Sequence, residues 1–191
     1  MNSIYLVLDL ENDLVHEEGP NGKSPLGEQV RMRQVVQRTA AAIAKARSAG
    51  VRVGFVRVGF SPDYRECPSR SPVFSPARDH GLFKLGSWGA ELHPALGVQP
   101  QDLQVVKHRV SPFYATTLEA QLRANAIGRI YCSGVSTQAV VQATVRDGHD
   151  RDYEMVVLED CCAAHSAEEH RNSMQTMARF CTVTTSDVVA W

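Results

Sequence analysis

RIYCSGVSTQAVVQATVRD, residues 129–147, is the stretch whose reading decides the fold of this chain. Ile130-Tyr131-Cys132 is a short apolar run of the kind a buried strand needs. Gly134 punctuates it, and Ser136 or Thr137 is placed to cap a helix starting at Gln138. A strand that runs straight into a helix N-terminus leaves several backbone N–H groups unpaired and pointing one way. At the carboxyl end of a parallel strand such a turn sits where open α/β sheets hold ligands. A carboxylate, an oxyanion or an ordinary capped helix all fit it.

The rest of the chain repeats the same alternation. Residues 3–9 (SIYLVLD) are an apolar run ended by an acid, a strand covered on both faces. Leu10–Gly27, with three glycines and two prolines, reads as a loop. Apolar residues at Val30, Val35, Val36, Ala40, Ile43 and Ala44 predict one helix over 28–49, stopped by Gly50. A second strand is expected at 51–60 and a third at 103–107, ending in a cation. Between them, 61–88 is irregular, and loops of this length are often functional. Thr116 or Thr117 is expected to cap a helix carrying Leu118, Leu122 and Ala126, closed by Gly128. After the opening stretch come a strand at 153–159, a helix from Ser166 with Glu169 completing a capping box, a strand at 181–185, and a terminal turn capped by Ser186. Strands alternating with helices predict a three-layer α/β/α, Rossmann-like domain over 1–191 with a mostly parallel sheet.

Composition bounds the function. The 191 residues carry a net charge of −1, which gives no electrostatic reason to expect nucleic acid or an anionic membrane as partner. No apolar run approaches a membrane span, and MNSIYLVLDLEND lacks a basic leader segment. Five cysteines without a framework spacing predict reduced thiols and a cytoplasmic protein.

Asp9, Lys107 and the turn at Val135–Thr137 all end strands, so a parallel sheet brings them to one edge. An Asp beside a Lys favours both charged forms, while burial opposes both. Such a pair orients a substrate, relays a proton, or is a structural ion pair. Arg146-Asp147 reads as a structural pair near a helix end.

LVLDLENDL (6–14), VVKHRVSPFYATTLEAQLRANAI (105–127) and YCSGVSTQAVVQATVRDGHDRDYEMVVLEDCCAA (131–164) resemble the isochorismatase-like hydrolase superfamily, with the motifs in the family's order. The resemblance implies a hydrolase of a small molecule, either amide-like or an enol ether, and a homodimer or larger homo-oligomer. In the cysteine-using members an Asp and a Lys flank a nucleophilic Cys three residues after the motif Thr. Asp9 and Lys107 take the first two roles by that resemblance, and Val140 stands in the third. A valine is no nucleophile. The resemblance therefore leaves three readings: a hydrolase working through Asp9 and Lys107 without the thiol, an inactive binding or scaffold member, and an amidase with a nucleophile displaced to Cys161 or Cys162. It also implies a cis peptide near Val135-Ser136, and pocket walls at Trp88, Phe113 and Tyr114. Where the enol-ether branch has a Gln near the end of strand two, Arg57 is the nearest polar group. The metal-holding members use an Asp-x-His that Asp63-Tyr64-Arg65 does not match, so neither metal nor cofactor is expected.

Overall fold

The computed structural model describes residues 1–191. Six strands form one sheet: β1 (Asn2–Leu8), β2 (Arg52–Val58), β3 (Leu103–Lys107), β4 (Ile127–Val135), β5 (Glu154–Ala163) and β6 (Thr182–Thr184). Their order is β3-β2-β1-β4-β5-β6, and every neighbouring pair is parallel. The order reverses direction at β1, so a crevice opens between the carboxyl ends of β1 and β4.

Alternation along β1 sorts side chains into two cores. Tyr5 and Val7 join Val30, Val35 and Ile43 on one face, whereas Ile4, Leu6 and Leu8 join Leu118, Val145 and Met174 on the other. The helices that supply them are α2 (Pro25–Met32) and α3 (Val35–Ser48) on the first face, and α5 (Leu118–Ala124), α6 (Gln142–His149) and α7 (Ala167–Met177) on the second. Two short helices complete the set: α1 (Asn12–Val15) and α4 (Ser75–His80).

Several element boundaries differ from the sequence reading, each for a local reason. The helix expected over 28–49 is two helices, starting at Pro25 behind Ser24, whose side chain accepts from the Gly27 N–H. They break at Gln34, in the left-handed region with φ 54°. On one continuous helix Val30 and Val35 would point about 140° apart; the break turns both into the same core. Part of the expected 10–27 loop is α1, tied down by Asn12, whose N–H donates to Glu91 O and whose Nδ2 donates to Trp88 O. The expected irregular stretch contains α4 and a third apolar cluster of Val58, Phe60, Tyr64, Cys67, Phe74, Ala77 and Phe83. Gly128 does not close α5, since it already lies in β4, and Ala126 with φ 50° makes the turn. The strand expected to end at Glu159 continues to Ala163, because the apolar run Cys161–Ala164 is buried. Ser186 caps no turn, and instead its N–H and hydroxyl both donate to Asp160. The Ser166 cap is present, accepting from the Glu169 N–H at 3.1 Å. Asp147 pairs with Arg151 at 3.1 Å rather than with Arg146, whose guanidinium lies over the Phe180 ring.

Candidate active site

Asp9 follows β1 with φ 54°, a conformation that costs a non-glycine residue energy and clusters at functional sites. Its N–H is fixed to Val56 O at 2.8 Å. Lys107, the last residue of β3, reaches past β2 so that Nζ lies 2.8 Å from Asp9 Oδ2 and donates to Arg109 O at 3.1 Å. Both side chains are buried, and Asp9 Oδ1 has no hydrogen-bonding partner among the protein atoms. Burial pushes the Asp9 carboxyl above the ordinary aspartate value, and Lys107 pulls it back down.

The turn after β4 depends on Gly134. Its φ is 140°, and a Cβ there would stand 1.9 Å from Leu8 O, so only glycine lets β1 and β4 pair this far along. The Val135–Ser136 peptide is cis. Thr137–Val141 then forms a single π-type turn before α6, a feature common at functional sites. Neither Ser136 nor Thr137 caps the helix with its side chain, contrary to the sequence reading. Thr137 Oγ1 donates instead to His170 Nδ1 at 3.0 Å.

These parts close round a cavity of about 250 Å³. Asp9, Lys107, Val135, Ser136, Ala139 and Val140 form its floor, and Leu14, Asn21, Leu26, Val58, Val73, Phe74, Leu82, Phe83, Val110 and His165 its walls and mouth. Five of the predicted residues thus meet there, and the other five do not. Thr137 is buried behind the turn. Arg57 donates to Ala90 O at 2.7 Å. Trp88 packs edge-on against His16, Phe113 stacks on Tyr153 in the core, and Tyr114 faces outward. The pocket walls come instead from α1, α2 and the 61–85 segment. His165 arrives because β5 runs four residues longer than the sequence reading allowed, and the continuing apolar run Cys161–Ala164 was its signal.

The displaced-thiol reading fails on geometry. Cys161 and Cys162 sit on opposite faces of the sheet, one in each core, and neither lines the cavity. Burial pushes the Cys161 thiol up to about 12 and the Cys162 thiol well above its ordinary value, so neither supplies a thiolate near neutral pH. Among the His, Cys, Asp and Glu side chains no group of three or more is gathered as metal ligands. No helix is long and apolar enough to cross a membrane. A wider groove of about 640 Å³ opens at the opposite edge, among Val51, Gln101, Leu103 and Gln121. Of its charged groups Arg47 and Asp102 pair with each other while Arg52 does not, and it lies at the amino ends of the strands, where parallel sheets do not place their chemistry.

The isochorismatase domain family model matches residues 3–188. The chain belongs to the isochorismatase family. It is 39% identical over 142 residues to the isochorismatase family protein YecD of Escherichia coli O157:H7, covering 74% of this chain and 73% of that one. It is 35% identical over 145 residues to the ureidoacrylate amidohydrolase RutB of Methylorubrum extorquens, covering 70% of this chain but only 58% of the relative. The N-carbamoylsarcosine amidase of Thermoplasma acidophilum superposes with a TM-score of 0.79 at 25% identity, each chain covered completely. This isochorismatase-family chain is accordingly a hydrolase by family, with the family's single α/β domain and parallel sheet.

Proposed function

We propose that this isochorismatase-family chain hydrolyses a small amide or urea by direct attack of water, with Asp9 as general base and Lys107 as its partner. The observation that carries the reading is the free oxygen of Asp9: Oδ2 is held by Lys107, while the unpartnered Oδ1 belongs to a residue lining the cavity. Val140 occupies the place where the family pattern puts the thiol, so no covalent intermediate forms. Water oxygen adds to the carbonyl carbon as Asp9 Oδ1 takes its proton. The C–N bond then breaks, and that proton passes to the departing nitrogen. Lys107 holds Asp9 ionised against the pull of burial. The amidase names of the relatives support a C–N bond over an enol ether.

Asp9→Asn should lower turnover by at least about 100-fold. That substitution strands a buried Lys107, so Asp9→Asn/Lys107→Met is made beside it, and circular dichroism checks both for folding. Because burial raises the Asp9 carboxyl, the acid limb of wild-type turnover should fall above the ordinary aspartate range: activity is lost as pH drops and the base takes up its proton. Turnover indifferent to Asp9 in a folded variant sinks the reading. Ligand binding with no turnover of any amide or urea would favour an inactive binding member, for which Val140 is the supporting observation.

A further inference from the structure

The charges of the cavity select for what enters it. Asp9 and Lys107 are the only charged residues among its lining, and they neutralise each other at 2.8 Å, with Lys107 also donating to Arg109 O. No arginine is among the lining residues, and Arg33 is paired with Glu159 and Cys162 O. The remaining polar groups are uncharged or acceptors. Asn21 donates one amide hydrogen to Asp13 O, and its side-chain oxygen and second N–H carry no net charge. Gln138 Nε2 lies 2.6 Å from His165 Nδ1. Eleven of the 16 lining residues are hydrophobic, so the body of any ligand meets apolar walls.

We infer that the site takes an uncharged amide or urea with an apolar body, and rejects analogues carrying a carboxylate. A carboxylate placed there loses its hydration and gains no cation, a cost that apolar contact does not offset. A ligand N–H, by contrast, carries no charge to desolvate and has the Asn21 oxygen as an acceptor on the cavity lining. This inference rests on the cavity assigned above, but it concerns binding and does not require that Asp9 be a base.

Calorimetry on the full chain with two matched pairs tests it: phenylurea against 4-ureidobenzoate, and isobutyramide against succinamate, at pH 7.5. Each neutral member should bind at least tenfold more tightly than its anionic partner. Val73 stands exposed at the cavity mouth, so Val73→Arg supplies a cation without disturbing the core and should narrow the preference at least threefold. Equal or tighter binding of either anion, or no binding of any neutral member, overturns the inference. An unchanged preference in Val73→Arg overturns its electrostatic basis. Turnover indifferent to Asp9, with the binding preference intact, would remove the hydrolytic mechanism and leave this specificity standing.

Discussion

Glu11 is fully buried two residues beyond Asp9, and neither of its carboxyl oxygens has a hydrogen-bonding partner among the protein atoms. Burial drives its pKa well above the ordinary glutamate value; the neighbouring Asp9 and Asp13 add to this, and Lys107 and Arg57 oppose it. The protonated form is therefore the one the fold accommodates, because an ionised carboxylate there would lie unpaired in a medium of low dielectric. A carboxyl whose folded-state pKa is raised contributes stability that is present below the unfolded value and lost as pH rises through the folded one. Glu11→Gln keeps the shape and removes the ionisation. Relative to wild type the variant should gain stability steadily as pH rises from about 4.5, as read by urea unfolding at a series of pH values. Asp9, also raised, keeps its smaller contribution of the same sign in both proteins. A constant difference between the two proteins across the series would mean that Glu11 is ionised in the folded state. Nothing in the sequence marked this residue: a glutamate following a strand is ordinary, and its burial comes from the 88–92 segment bridging back onto Glu11 through Leu92.

At the scale of elements, the turn after β4 is held from behind by α7. Thr137 donates to His170 Nδ1 at 3.0 Å, His170 Nε2 donates to Glu159 Oε2 at 3.1 Å, and Arg33 binds the same oxygen at 3.2 Å. This chain joins α7, β5 and the end of α2 to the floor of the cavity. Burial lowers the His170 pKa, with the Glu159 hydrogen bond opposing and the Arg33 charge reinforcing. A depressed histidine contributes stability that is present above the unfolded value, about 6.5, and lost as pH falls through the folded one. His170→Ala should cost ~1–3 kcal/mol near pH 7.5 by leaving the buried Thr137 hydroxyl unpaired, while Glu159 keeps Arg33. Its stability should then change less than that of wild type between pH 7.5 and 5.5, and amide exchange over 137–140 should quicken. Equal pH dependence in the two proteins would place the titration elsewhere. Asp9, Lys107 and the Gly134–Val140 turn were legible in the sequence because each is a strand end, and parallel strands end on one edge. His170 and His165 were not, since their roles depend on β5 continuing past Glu159 and on how far α7 is swung toward the turn. The walls were misplaced for a similar reason. Trp88, Phe113 and Tyr114 are aromatic residues in loops, and which way a loop side chain faces is decided by tertiary contacts that no local spacing encodes.

Across the whole molecule, one sheet separates two large cores of 21 and 20 buried residues, while the 61–85 segment closes the cavity over a satellite cluster of only seven. The segment that forms much of the pocket wall is therefore held by the least apolar burial, and local opening draws on such regions first. The cysteines report on each part. Cys132, Cys161 and Cys162 lie on β4 and β5 within the two large cores, Cys67 lies in the satellite cluster, and Cys181 is partly exposed beside α7. Burial raises the Cys181 thiol to about 11 and the Cys132 thiol further still. Alkylation requires both access and thiolate, so native labelling should be slow everywhere. With iodoacetamide in sub-denaturing urea, resolved by peptide mass, Cys181 should label first. Cys67 should follow at a rate set by opening of the pocket wall, and the three core thiols should label last and together, at the rate of global unfolding. A ligand seated against Phe74 and Phe83 should slow Cys67 selectively, because its binding opposes that opening. Cys67 protected as long as Cys132 would show the wall to be part of the main cooperative unit. Cys161 labelling ahead of Cys132 would break the two-core account of the sheet.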